Sequence, residues 1–170
     1  MSELNQTILP ETADDALAID RLHERTFGPG RYARSAYRIR EGGRHVLDLS
    51  FTARIGSLLV GSVRLSPVLV GRTPALLLGP LTVEPPFRGH GVGRALLERA
   101  LKVAKAKGHR LVLLVGDEAY YGRVGFKSVP KGRAIMPGPV DYSRLLVAEL
   151  VDGAFDGVSG PIRPDWSVAR

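Results

Sequence analysis

Arg88-Gly89-His90-Gly91-Val92-Gly93-Arg94 joins two stretches of different periodicity. Before it, Ala75 to Val83 is apolar at nearly every position, the pattern of a strand buried on both faces. After it, Val92, Leu96, Leu97, Ala100, Leu101 and Ala104 recur at the spacing of one helix face. Pro85-Pro86 stops the strand, and Gly108 closes the helix. A helix entered this way presents its first N–H groups, which have no partner within the helix, at the positive end of its dipole. Glycines let the chain turn sharply and let a phosphate approach the backbone closely. With Arg88 and Arg94 adding charge, the segment reads as a cradle for an anion.

Two common phosphate loops do not fit these residues. The dinucleotide fingerprint needs Gly-x-Gly-x-x-Gly, usually at the first strand, with a later acidic residue for the ribose. Here the glycines stand at 89, 91 and 93, the sixth position is Arg94, and the turn lies mid-chain. A Walker A loop needs Gly-Lys-Ser/Thr, which the segment lacks.

Upstream, Asn5 to Leu9 reads as a first strand. Thr12 then caps a helix with Asp15 at the capping-box position, and Ala16, Leu17, Ile19, Leu22 and His23 form its inner side. Gly28-Pro29-Gly30 breaks that helix. A second helical piece runs from Tyr32 to Arg40, with Arg31, Arg34 and Arg38 on one face. His45 to Arg54 and Ser57 to Val70 are β-rich runs joined by a hairpin at Ile55-Gly56, and Gly71-Arg72-Thr73-Pro74 is a second turn.

Downstream, Arg110 to Val115 is a buried strand, and Asp117 caps a short helix that holds Tyr120 and Tyr121 and ends at Gly125. Phe126 to Val129 and Leu145 to Val151 supply further strands. The Gly/Pro-rich tail from about residue 153 reads as irregular, with Trp166 as its anchor. Hairpins first and a strand-helix-strand crossover later give an α+β fold with a mixed, mostly antiparallel sheet. A length of 170 residues suits one domain, 1–170.

Composition narrows the function. Hydrophobic residues at 44% and charged residues at 24% describe an ordered globular chain. There is no cysteine, which excludes disulfides and thiolate chemistry. The first residues show no basic-then-apolar secretory pattern, and no apolar run approaches the roughly 18 residues of a membrane helix, so a cytoplasmic protein without membrane contact is expected. A net charge of +7 favours anionic partners. Yet the basic residues lack aromatic interleaving and a recognisable reading helix, so direct nucleic-acid binding is not expected. His23, His45, His90 and His109 are scattered without partners at ligand spacing, so no metal site is expected.

Arg88, Gly91 and Gly93 satisfy the pattern Arg/Gln-x-x-Gly-x-Gly/Ala, preceded by Leu81-Thr82-Val83-x-Pro and followed by Tyr121-Gly122-Arg123-Val124-Gly125-Phe126. In this order the motifs resemble those of the GNAT superfamily of acyl-CoA-dependent N-acetyltransferases, with the resemblance clearest over about 75–129. It implies a sheet splayed between its central strands, acetyl-CoA as cosubstrate, and direct transfer to an amine. By the same resemblance Arg88, Gly89, His90, Gly91, Val92, Gly93 and Arg94 would hold the pyrophosphate, while Leu81, Thr82 and Val83 would orient the pantetheine arm. Tyr121 would be the acid toward the departing thiolate, with the neighbouring Tyr120 as its rival.

No general base stands out. Glu84, His23, Glu24 and Asp48 are the candidates, and a low-pKa amine or a water relay would need no strong base. The acceptor amine is not specified, and a homodimer is allowed for. A non-catalytic acyl-CoA-binding module is the alternative reading. The region that borders the acceptor in such a fold includes the Arg31, Arg34 and Arg38 face.

Overall fold

A computed structural model describes residues 5–27 and 45–167. The predicted helical piece at 32–40 and its arginine face lie outside those residues. Strand β1 (Thr7–Pro10) leads through a 3-10 turn (Ala13–Asp15) into α1 (Ala16–Phe27). A second 3-10 turn (Leu47–Leu49) precedes β2 (Phe51–Ile55), β3 (Leu58–Val70) and β4 (Thr73–Val83). Then follow α2 (Val92–Ala106), β5 (Leu111–Val115), the short α3 (Glu118–Tyr121), β6 (Lys127–Ser128), β7 (Ala134–Ile135), β8 (Leu145–Glu149) and β9 (Gly160–Pro164).

The sheet runs β1-β2-β3-β4-β5-β8-β6, with β9 added to β3 and β7 to β9. Pairing is antiparallel except for β4 with β5 and β7 with β9. The α+β reading therefore holds.

The apolar strands owe their continuity to two cores. In β4, Leu76 and Leu78 face the core shared with α2, while Ala75 and Leu77 face the core on the other side. β5 divides Val112 and Leu114 from Leu111 and Leu113 in the same way, and β8 divides Leu146 and Ala148 from Leu145 and Val147. Period-2 alternation thus survives, but both faces are apolar. Helix α2 buries Val92, Leu96, Leu97, Ala100 and Ala104. It lies close because β3 carries Gly61 beneath it: an added Cβ there would stand 2.9 Å from Leu96 Cδ1 and 3.2 Å from the Thr82 carbonyl oxygen.

Three expectations change. Leu17 is 61% exposed, so the inner side of α1 is Ile19, Leu22 and His23. The run from His45 enters β2 only at Phe51, because residues 47–49 form a 3-10 turn closed by the Ser50 hydroxyl donating to the Val46 carbonyl at 2.7 Å. The tail is not irregular throughout: β9 pairs with Val68–Val70 of β3 and buries Ile162, while Trp166 is 66% exposed.

Candidate active site

The central strands part company. β4 pairs with β5 only through Leu76 with Val112 and Leu77 with Leu113. From Leu78 to Val83 it stays with β3 alone, and there the register slips: Val63 partners Leu81 and Leu65 partners Leu78, so Arg64 faces both Gly79 and Pro80. This bulge bends β4 at the point where β5 leaves it, opening a gap in the middle of the sheet. The backbone of Leu81, Thr82 and Val83 lines the β4 side of the gap. Leu81 and Val83 turn toward the α2 core, and Thr82, 2% exposed, turns to the opposite face, where α1 packs.

Beyond β4 the chain enters α2 through the glycine turn. Gly89 and Gly91 both have φ +81°, and Gly91 is the N-cap of α2. The first helical hydrogen bond runs from Ala95 N to the Gly91 carbonyl at 3.0 Å, which leaves the amides of Val92, Gly93 and Arg94 without helical partners. Open space lies over Gly89 and Gly91, where an added Cβ would meet nothing within 4 Å. Arg88 is exposed, and its Nε donates to the Val83 carbonyl at 3.3 Å, tying the turn back to β4. Arg94 donates along the helix to Glu98 at 2.8 Å, and His90 is half-buried. The residues predicted to form the cradle are therefore contiguous with the strand predicted to hold the pantetheine arm.

Across the gap, β5 is followed by Gly116, and Asp117 caps α3 by accepting from Ala119 N at 3.3 Å. The Tyr121 ring lies against Gly116: a Cβ there would fall 2.5 Å from Tyr121 Cε2. Phe126 packs edge-on at 5.9 Å between centroids. Burial pushes the Tyr121 phenol up to about 12. Its hydroxyl makes no hydrogen bond to another described residue. Tyr120 takes another direction, with its hydroxyl beside Gly93 at the head of α2.

The candidate bases separate clearly. Glu84 is held by the Arg25 guanidinium of α1 through Nε at 3.1 Å and Nη2 at 2.6 Å. Asp48 is exposed and 3.4 Å from Lys107, Glu24 is exposed, and His23 is buried against the sheet beside Phe27. The sequence reading missed a row of hydroxyls across three strands. Thr52 partners Ser62, and Ser62 partners Thr82. All three are buried with no hydrogen-bond partner among the described residues. Only strand register could have revealed them. Among the described residues no group of three His, Cys, Asp or Glu is placed to hold a metal ion, and no helix is long and apolar enough to cross a membrane.

The family model described as Acetyltransferase (GNAT) family matches residues 16–126, from α1 through Phe126. The chain belongs to the GNAT family. Over 148 residues it is 33% identical to the uncharacterized N-acetyltransferase YhbS of Escherichia coli (strain K12), which spans 86% of this chain and 88% of that protein. The crystal structure of E. coli YhbS in complex with CoA matches this GNAT chain with a TM-score of 0.81 at 29% identity, covering 97% of this chain and 92% of that one. A GNAT family acetyltransferase from Brucella melitensis in complex with acetyl-CoA matches with a TM-score of 0.61 at 27% identity, covering 91% and 100%. The fold is the GNAT fold, and the enzyme class is that of the acetyl-CoA-dependent acyltransferases.

Proposed function

We propose that this chain, acting as one cytoplasmic domain, binds acetyl-CoA with its pyrophosphate on the head of α2. The acetyl group then passes to an amine by direct attack in a ternary complex. One observation carries the reading: an open, glycine-lined helix N-terminus stands at the end of β4, where that strand has lost its β5 partner. Gly89 to Arg94 supply amides to the phosphates. The free edge of β4 at Leu81 to Val83 offers backbone groups to the amides of the pantetheine arm, so the arm replaces the missing strand. A backbone N–H there can also polarise the thioester carbonyl as charge develops on its oxygen. Holding both reactants in this geometry is the chief source of rate.

Tyr121 acts on the leaving sulfur. A phenol at about 12 stays protonated at neutral pH. Complete transfer to a thiolate of about 8.5 would be uphill by about 5 kcal/mol. Tyr121 therefore works by donating a hydrogen bond to the developing negative charge rather than by surrendering its proton. Glu84 is occupied by Arg25, which favours proton loss through water or a low-pKa amine over a carboxylate base. Calorimetry and thermal melting with acetyl-CoA test the binding. A tight complex raises the melting temperature because the cradle exists only in the folded chain, and absence of both heat and shift at millimolar acetyl-CoA refutes the reading. Turnover with a panel of amines, antibiotics and peptide N-termini separates an enzyme from a binding module.

A further inference from the structure

Tyr120 and Tyr121 are consecutive on α3, so their side chains leave the helix about 100° apart. Tyr121 turns to Gly116 and Phe126. Tyr120 packs edge-on against Tyr121, with centroids 4.9 Å apart, and reaches the first turn of α2. A Cβ built on Gly93 would lie 2.9 Å from the Tyr120 hydroxyl oxygen, so the third glycine of the turn leaves room for this hydroxyl. The Gly93 amide is one of those left without a helical partner. Tyr120 is 39% exposed, and its hydroxyl makes no hydrogen bond to another described residue. The charges that act on its phenol are those of Arg123 and Arg94, although Arg94 also pairs with Glu98. A phenol O–H thus stands beside the unpartnered amides at the head of α2, within the electrostatic reach of two cations.

We propose that Tyr120 is a phosphate-binding residue, its hydroxyl donating to the pyrophosphate of acetyl-CoA beside the α2 amides, while Tyr121 serves the thioester. This rests on reading the glycine turn as the pyrophosphate cradle. The two tyrosines are then not rivals for one role. Burial raises the Tyr120 phenol against the pull of Arg123 and Arg94, so it remains a donor at neutral pH. Donation to an ionised phosphate is among the stronger hydrogen bonds.

The test compares two ligands, CoA by calorimetry and S-acetylpantetheine, which has no pyrophosphate, by NMR titration. Tyr120→Phe should raise the Kd for CoA about tenfold, the loss of one charge-assisted hydrogen bond at a partly exposed site. It should leave S-acetylpantetheine binding unchanged. Gly93→Ala, which pushes the hydroxyl aside, should weaken CoA by a similar factor, and the double variant should lose no more than either single one. An unchanged Kd for CoA in Tyr120→Phe overturns the proposal. So does an equal loss toward S-acetylpantetheine, which would place Tyr120 on the arm or in the packing. Failure of the unmutated protein to bind CoA is a separate result, and it would remove the cradle reading itself.

Discussion

Gly91 sits at φ +81° with open space around it, so its requirement for glycine comes from the backbone and not from crowding. Placing a Cβ on a left-handed residue costs about 1–2 kcal/mol. Gly91→Ala should therefore lower the melting temperature by roughly 2–8 °C and weaken acetyl-CoA binding as the turn relaxes. Calorimetric melting with and without acetyl-CoA checks both. Tyr121→Phe should behave differently, lowering kcat by roughly ten- to a thousandfold while leaving the Kd for CoA within about twofold. An equal loss in kcat and in affinity would remove it from the chemistry. The glycine turn that opens α2 was legible in the sequence, because glycines at fixed spacing between an apolar run and an amphipathic stripe mark a sharp entry into a helix. The different directions of the Tyr120 and Tyr121 rings were not, since two adjacent aromatics differ only in helix phase. That phase is fixed by Asp117 capping α3 and by Gly116 admitting one ring.

Between elements, the close approach of α2 to the sheet depends on Gly61. A methyl there would press on Leu96, Val92 and the Thr82 carbonyl, and a carbonyl in a strand cannot step aside as a side chain can. Gly61→Ala should cost about 1–3 kcal/mol, read as a lower urea midpoint with an unchanged m-value. The Arg25–Glu84 bridge joins α1 to the end of β4 but is partly open to solvent, so it contributes little stability. Glu84→Gln should keep kcat within about threefold; loss of the acidic limb of the pH–rate profile would instead make Glu84 the base. Elements that serve two cores, such as β4, β5 and β8, announced themselves as unbroken apolar runs. β7 and β9 did not. Each is short, and β9 reads Gly-Pro-Ile-Arg-Pro with only Ile162 buried, so neither period nor propensity marks it. Val46, Leu47 and Leu49 suggested a strand before β2, but a local hydroxyl-to-carbonyl bond turned the chain instead.

At the scale of the whole molecule, two carboxylates hold the N-terminal elements to the sheet. Asp15 takes Arg54 Nη2 of β2 at 2.7 Å, and Glu11 takes Arg64 Nε of β3 at 2.9 Å together with His45 Nε2. Burial pushes the Glu11 carboxyl up, but the bonds from His45 and Arg64 outweigh it and leave it below the usual carboxylate value. A lowered carboxylate stabilises the fold above its unfolded pKa, about 4.3, and that contribution fades as pH falls through the folded value. Glu11→Gln should therefore unfold at lower urea than the unmutated chain at pH 7, and the two midpoints should converge toward pH 3. A gap that persists in acid would assign the effect to packing. The strand that completes β3 acts on another timescale. β2 covers only the first half of that edge, and β9 covers Val68 to Val70. Because β9 follows the other strands in chain order, a nascent chain emerging from the ribosome carries this edge bare until residues 160–164 have been made. In that interval the exposed ladder can recruit another chain, and chaperones that mask open strand edges would decide how much of the product stays soluble.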